Sequence, residues 1–173
     1  MKHIMQADKK KNIKNKYNTT ADFYNSRYRD IQYEKYAQML NGMHLSGRIL
    51  DLGCGTGMLS EFLNKETIGV DFSIKMIKKS KNKNRILGDA ELLPFKNNTF
   101  DFVLSFTLVQ NLPSFKVFKE VRRTLKTDSL FVLTLLRKKY NENVRKELEK
   151  GFSILKGVDC GEDIGFICRA KDK

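Results

Sequence analysis

The segment RILDLGCGTGM at 48–58 constrains the fold more than any other part of the chain. A short apolar run ends in Asp51 and leads directly into glycines at 53, 55 and 57. This pattern is typical of a buried parallel strand followed by a tight loop in which a ligand contacts bare backbone. A second strand-like run, 67–70, ends in Asp71, twenty positions after Asp51. Together these features indicate a nucleoside-binding α/β site.

Strand and helix patterns alternate along most of the chain, which favours a parallel sheet with helices on both faces. Beyond residue 150 the pattern changes to two strand-like runs around Cys160 and Gly161, which predicts a hairpin. We therefore predict an α/β, Rossmann-like three-layer sandwich with a mostly parallel seven-stranded sheet that ends in an antiparallel hairpin. The predicted strands are 48–52, 67–70, 85–87, 102–106, 130–136, 152–158 and 164–170.

A length of 173 residues suggests a single domain. Residues 1–16 are polar and rich in lysine, with little to bury, so we expect a flexible basic arm there. Residues 17–173 form the expected domain, and the apolar spacing over 22–40 predicts one or two amphipathic helices at its start.

The net charge of +13 has two readings. It can attract a polyanion such as RNA, or it can reflect a general bias toward lysine, and both alternatives stay open. No apolar run is long enough to span a bilayer, and the first residues lack the apolar core of a secretion signal, so we expect a cytosolic protein without membrane insertion. Cys54, Cys160 and Cys168 form no paired motif, so neither a disulfide framework nor a metal site is expected.

The glycine loop excludes two common nucleotide sites. A dinucleotide fold needs a small third residue so that helix and strand pack closely, and Met58 occupies that position. A phosphate-binding loop would continue with Gly-Lys-Ser/Thr, which is missing. Asp51, two positions before the first glycine, is poorly placed for a diphosphate and suits a ligand that carries a positive amine.

Further motifs follow the glycine loop in a fixed order. They are VDFSIKM at 70–76, GDAELLPF at 88–95 and NTFDFV at 98–103, with YNTTADFY at 17–24 upstream. With DLGCGTG at 51–57, they make the chain resemble the class I S-adenosylmethionine-dependent methyltransferases, in the broad type 11 group that includes quinone-biosynthesis enzymes. The resemblance extends over about 17–136 and implies S-adenosylmethionine as the cofactor.

The resemblance also implies roles for the matching positions. Asp51 would lie near the cofactor's ammonium, Asp71 would accept hydrogen bonds from the ribose, and Asp89 would take the exocyclic amine of adenine. A core role for Met76 and a helix-packing role for Tyr17 and Tyr24 remain alternatives. The full set of implied cofactor-binding residues is Tyr17, Tyr24, Asp51, Gly53, Cys54, Gly55, Asp71, Phe72, Met76, Asp89, Ala90 and Ser105.

The acceptor side is less defined by the sequence. Thr107, Gln110 and Asn111 follow the fourth strand and are the expected substrate-binding residues. Asn111 stands where many relatives carry histidine, so no general base is assigned. We expect RNA, a ribonucleoprotein or a translation-related protein as acceptor. The alternatives are a small-molecule acceptor, a non-catalytic cofactor-binding subunit, and a dinucleotide or nucleotide-sugar enzyme, and a small activator subunit is a further candidate partner.

Overall fold

The computed structural model describes the backbone of residues 2–172 and the side chains of residues 7–172. The elements follow in chain order, with short 3₁₀ turns at Val109–Asn111 and Arg137–Lys139. They are α1 Lys2–Thr20, α2 Tyr24–Leu40, β1 Ile49–Leu52, α3 Met58–Leu63, β2 Ile68–Asp71, α4 Ile74–Lys79, β3 Arg85–Leu87, β4 Phe100–Phe106, α5 Lys116–Thr124, β5 Leu125–Leu136, α6 Glu142–Glu149, β6 Phe152–Cys160 and β7 Asp163–Ala170.

One seven-stranded sheet has the order β3-β2-β1-β4-β5-β7-β6. The first five strands pair in parallel, whereas β7 is antiparallel to both β5 and β6. Parallel neighbours need a long crossover, which the intervening helices supply, while β6 and β7 are joined by a tight turn at Gly161. The predicted fold class is confirmed.

Two apolar cores lie on opposite faces of the sheet. One contains α5 and α6, with Val121 and Leu148 packed against Phe131 of β5. The other contains α2 and α3, with Met39 and Leu59 packed against strand residues that point the other way, such as Val132. Successive strand residues alternate between faces, so one buried strand supplies both cores. This arrangement is the predicted three-layer sandwich.

The N-terminal segment differs from the expectation of a flexible arm over 1–16. It forms helix α1, which continues to Thr20, and Met1 lies outside the described residues. Tertiary contacts hold the helix on the domain: Lys9 Nζ donates to the Leu112 carbonyl oxygen at 2.8 Å, and Asn18 Oδ1 accepts from Ser73 Oγ at 2.7 Å. A polar sequence shows no apolar stripe, so such contacts cannot be read from its periodicity.

Smaller differences occur at element ends. Strand β4 begins at Phe100 rather than 102, and β5 begins at Leu125 rather than 130. Residues 126–129, which look like a turn, lie within β5, and the backbone is kinked at Asp128, where φ is +59°. Within the described residues no helix is long and apolar enough to cross a membrane.

Candidate functional site

The glycine loop turns the chain sharply between β1 and α3. Gly53, Gly55 and Gly57 all have positive φ, of +83°, +52° and +82°. The Gly53 and Cys54 amides both donate to the Val70 carbonyl oxygen, at 2.8 and 3.1 Å, which ties the loop to the end of β2. A Cβ atom on Gly55 would meet nothing within 4 Å, so the loop backbone borders open space there. Residues with a side chain rarely adopt a positive φ, which explains why glycine occupies these three positions.

Two carboxylates lie beside the loop at the carboxyl ends of neighbouring parallel strands. Asp71 is well supplied with donors: its two oxygens accept from the amides of Gly55 at 3.0 Å and Ser73 at 2.7 Å. Asp51 is 4% exposed, and its Oδ2 has no hydrogen-bond partner among the described residues. Burial, and then the charge of Asp71, raises the pKa of Asp51 to about 8. The Asp51 carboxyl group therefore lacks the cation or donor that a buried carboxylate needs.

Two small cavities meet at Gly53, which lines both of them. The first lies over β2 and β3, and the second lies over the glycine loop beneath α2. Of the expected cofactor residues, Tyr17, Gly53, Asp71, Phe72, Asp89 and Ala90 line the first cavity. The second is lined by Tyr24, Asp51, Gly53, Cys54 and Gly55. The structure thus brings together ten of the twelve expected positions, since Gly53 counts once.

The other two expected positions, Met76 and Ser105, lie in the interior. Met76 is 2% exposed and its amide donates to Ser73 Oγ within the first turn of α4. Ser105 is fully buried near the end of β4, and its Oγ lacks a hydrogen-bond partner in the part of the chain that the structure describes. Neither residue is among those that line the two cavities.

Helix α1 covers the cavity over β2 and β3. Lys10 Nζ forms ion pairs with Asp89 Oδ2 at 2.5 Å and with Glu91 Oε2 at 2.7 Å. Tyr17 supplies the next contact, because its hydroxyl accepts from Asn111 Nδ2 at 2.9 Å. Burial raises the pKa of the Tyr17 phenol, so this hydroxyl stays protonated. Lys10 is therefore paired with the Asp89 carboxylate, which the family resemblance assigns to the exocyclic amine of adenine.

A third and larger cavity opens between α1, α2, the segment after β4 and the β6–β7 hairpin. This acceptor groove has a volume of about 550 Å³, within the range of small-ligand sites. The expected substrate-binding residues Thr107, Gln110 and Asn111 all line it. Tyr24 and Gln32 line both this groove and the cavity over the glycine loop, so the two spaces are neighbours.

A buried ion pair forms the floor of the acceptor groove. Lys35 Nζ contacts Asp163 Oδ2 at 2.8 Å and Thr107 Oγ1 at 2.9 Å, and Thr107 Oγ1 donates to Asp163 Oδ2 at 3.0 Å. Thr107 has φ of +58°, a conformation that costs a β-branched residue about 1–3 kcal/mol. Its amide donates to the Thr134 carbonyl oxygen, and its own carbonyl accepts from the Gln110 side chain. The surrounding bonds therefore hold Thr107 in a strained position facing the groove.

The sequence analysis did not identify Lys10, Gln32, Lys35 or Asp163 as site residues. The first three lie on helices whose polar residues resemble a solvated surface, and Asp163 opens the last strand of a hairpin. No local pattern distinguishes them, because their importance comes from contacts between distant segments. Among the described residues, no group of three His, Cys, Asp or Glu side chains could hold a metal ion.

Comparisons with known proteins identify the kind of domain that this chain contains. A family profile described as a methyltransferase domain matches residues 50–133. An uncharacterized protein of Methanocaldococcus jannaschii is 35% identical over 136 residues, which are 73% of this chain and 52% of that protein. The demethylmenaquinone methyltransferase of Staphylococcus aureus (strain JH9) is 34% identical over 105 residues, 53% of this chain and 44% of that enzyme. The chain thus spans about half the length of these two relatives.

A solved structure supports the fold. A chain of the complex between the Haloferax volcanii Trm112 methyltransferase activator and a methyltransferase superposes with a TM-score of 0.76. The identity is 16%, over 90% of this chain and 98% of that chain, so this likeness concerns the fold alone.

S-adenosylmethionine, the cofactor that the family implies, fits the residues present. The unpaired oxygen of Asp51 matches a positive amine, and the open space at Gly55 admits a ligand against the backbone. Asp71 and Asp89 lie along the neighbouring cavity, where ribose and adenine would follow. Motifs, fold, site and matched domain agree, and the chain belongs to the class I S-adenosylmethionine-dependent methyltransferases of the type 11 family.

Proposed function

We propose that this protein transfers a methyl group from S-adenosylmethionine to an acceptor that enters the acceptor groove. One observation carries the proposal: a buried carboxylate oxygen without a partner, on Asp51, beside open backbone at the carboxyl end of β1. Leaving such an atom unpaired is costly, so a ligand with a positive group should complete the site. The cofactor would supply the electrophilic methyl group on its sulfonium.

Each cofactor-facing residue would have a defined task. The Asp51 carboxylate would pair with the ammonium, and the backbone of Gly53 and Gly55 would lie along the methionine part. Asp71 would accept from the ribose hydroxyls, using carboxylate lone pairs that its two amide donors leave free. Asp89 would bind the adenine amine after Lys10 has moved away.

The remaining expected residues would border this path. Phe72 and Ala90 would contact the adenine, and Tyr17 and Tyr24 would cover the cofactor from α1 and α2. Cys54 is an apolar contact, because burial raises the pKa of its thiol and keeps it neutral. The domain proper would be residues 17–173, with the earlier part of α1 as a cover.

On the acceptor side, the chain would act mainly by positioning. Thr107, Gln110 and Asn111 are held by one another: both amide side chains donate to the Thr107 carbonyl oxygen, at 2.8 and 3.1 Å. A wall fixed in this way can hold a nucleophile in line with the methyl group, which supplies a large part of catalysis in such displacements. We assign no general base.

The preferred acceptor is RNA or a translation-related protein. The net charge of +13 supports a polyanionic partner. The Haloferax volcanii chain is solved with the Trm112 activator, which supports a small activator subunit here too. A small-molecule acceptor is the second candidate, favoured by the similarity to demethylmenaquinone methyltransferase. A cytosolic location is part of the same proposal.

The experiment offers S-adenosylmethionine labelled in its methyl group, with the purified protein, to separated RNA, protein and small-molecule fractions of a cell extract. Label in RNA or protein that is released by nuclease or protease supports the proposed acceptor class. If the label appears only in small molecules, the preferred acceptor class is wrong and the small-molecule acceptor takes its place. Tight binding of S-adenosylhomocysteine without transfer to any fraction, with and without an added activator subunit, would identify a non-catalytic binding protein.

A further inference from the structure

Two side-chain amides of residues that line the acceptor groove have buried oxygens without a hydrogen-bond partner among the described residues. Five buried side-chain polar atoms lack a partner in the described part of the chain, and Gln32 Oε1 and Gln110 Oε1 are two of them. Gln32 is 6% exposed and borders both the groove and the cavity over the glycine loop. Unpaired buried acceptors are rare in folded proteins and each costs free energy. A ligand in the groove that brings N–H donors would satisfy them.

The orientation of the Gln110 amide is set by its neighbours. Its Nε2 donates to the Thr107 carbonyl oxygen at 2.8 Å, and a carbonyl accepts only from the NH₂ end of an amide. The oxygen end must therefore remain the acceptor. Gln32 can present either end after a rotation of its side chain. Gln110 can therefore accept a hydrogen bond from a donor on the edge of a ligand, and Gln32 can pair with either a donor or an acceptor beside it.

Tyrosine rings form the adjoining wall of the groove. The ring centroids of Tyr17 and Tyr24 are 6.3 Å apart, and those of Tyr24 and Tyr28 are 4.9 Å apart. All three residues line the groove, and Arg27 Cζ lies 5.4 Å from the centre of the Tyr28 ring. An aromatic wall of this kind favours a flat ring that stacks on it.

Charge is distributed unevenly between the groove and its surroundings. Inside, Lys16 and Lys35 are outnumbered by three acidic residues, Glu34, Glu162 and Asp163. This interior does not suit a phosphate.

Outside the groove, exposed cations lie on both sides. Lys11 and Lys14 are exposed on α1, within about one and a half turns before the groove-lining Lys16. Lys138 and Lys139 are exposed in the turn that directly follows Leu136, which lines the groove. Such a layout suits a chain whose phosphates lie outside while one uncharged ring enters.

We propose that the acceptor groove binds a single unstacked base of an RNA strand, which stacks on Tyr28 and is read at its edge by Gln110 and Gln32. The flanking lysines hold the adjoining phosphates. This inference deepens the proposed function and rests on it, since it names RNA rather than protein as the macromolecule that enters the groove.

The test measures binding in the presence of saturating S-adenosylhomocysteine, so that free bases cannot enter the cofactor site. The probes are short single-stranded oligonucleotides of each base, the matching nucleoside monophosphates, and a lysine- and arginine-containing peptide. The chain has no tryptophan and six tyrosines, so quenching of tyrosine emission reports stacking in the groove. We expect the oligonucleotides to bind, with a preference for one base, and the monophosphate of that base to bind more weakly.

Variants separate base reading from phosphate contact. Tyr28→Leu should weaken oligonucleotide binding by at least about fivefold, whereas Tyr28→Phe should retain it, because stacking needs the ring and not the hydroxyl. Gln110→Leu should reduce the preference among bases. Replacing Lys138 and Lys139 by Gln should lower the slope of log K against log salt by about 1.4 if each lysine holds one phosphate.

Matched controls and outcomes decide between the hypotheses. Lys81 and Lys83 are exposed on the segment before β3, at the opposite edge of the sheet, and Gln at both positions should leave the salt slope unchanged. Binding of the peptide in place of the oligonucleotides, or oligonucleotide binding that Tyr28→Leu leaves intact, would overturn the inference. If S-adenosylhomocysteine itself fails to bind, the proposed function fails first, which distinguishes the two failures.

Discussion

Cofactor binding should release a proton from Asp51, and this makes affinity depend on pH. Without ligand, burial and the nearby Asp71 raise the pKa of the Asp51 carboxyl group to about 8, so at neutral pH this group is mostly protonated. A ligand ammonium placed at its unpaired oxygen favours the charged form and lowers that pKa. Binding and deprotonation are therefore coupled, and affinity must rise as the pH approaches 8.

The magnitude follows from the fraction of Asp51 that is already ionised. With a free-protein pKa of about 8, this fraction changes about 30-fold between about pH 5.5 and about pH 7, which corresponds to about 2 kcal/mol of binding free energy. Above this range the rise should level off, because Asp51 is increasingly ionised in the free protein. Near pH 7 the complex should release close to one proton.

The assay is isothermal titration of S-adenosylhomocysteine, which carries the same amino-acid part as the cofactor. Measurements in two buffers of different ionisation enthalpy count the released protons. Two controls isolate Asp51. Methylthioadenosine lacks the amino-acid part and should show little pH dependence, and Asp51→Asn should abolish the dependence for S-adenosylhomocysteine. Flat affinity from about pH 5.5 to about pH 7 in the unmodified protein, or an equal slope with methylthioadenosine, would refute the assignment.

Three further predictions concern the neighbouring residues. Asp71→Ala should weaken S-adenosylhomocysteine binding by about 1.5–3 kcal/mol, the scale of hydrogen bonds to a charged group; unchanged affinity by titration calorimetry would exclude Asp71 from the site. Lys35→Met should lower the free energy of unfolding by about 3–5 kcal/mol, because it leaves the Asp163 carboxylate buried without a cation; urea unfolding tests this, and a smaller loss should follow when both residues become apolar. Lys10→Gln should strengthen S-adenosylhomocysteine binding about two- to fivefold, since its partly exposed ion pair with Asp89 is worth up to about 1 kcal/mol and opposes the ligand; weaker binding would contradict this competition.

Control variants are available for each. Asp30→Asn removes an exposed carboxylate and should not change cofactor affinity. Lys14→Gln removes an exposed lysine of α1 and is the control for Lys10→Gln; it should not change cofactor affinity. Removal of one partner of the exposed helical pair of Arg145 and Glu149 should leave the free energy of unfolding almost unchanged, in contrast to the buried pair at Lys35.

The fold class and the clustering of most expected cofactor positions around the glycine loop could be predicted from the sequence. The loop after β1 demanded glycine because its backbone has positive φ, and Asp51 and Asp71 followed buried strands at a spacing that brings their side chains to one edge of the sheet. These signals depend on residues that are close together in the chain, so they can be recognised in the sequence alone. For Met76 the helical spacing fits both the core and the adenine site, and its side chain is buried, as are those of Asp51 and Ala90; its cofactor role stays a prediction.

The acceptor groove depends on contacts that no local pattern encodes. Lys35, Thr107 and Asp163 come from three separate elements, and only the folded chain brings them within hydrogen-bond distance. Lys10 likewise meets Asp89 across a separation of 79 positions, so the helix that the N-terminal segment forms contacts the cavity over β2 and β3.

By itself, the sequence determined the class of fold and the kind of ligand that meets the glycine loop, because both rest on short-range periodicity and backbone conformation. Only the tertiary structure decided which carboxylate lies unpaired, what covers the cavity over β2 and β3, and which side chains line the acceptor groove. Burial and pairing are properties of segments that meet in space, and they set the charge and the hydrogen-bonding needs through which the site selects its ligands.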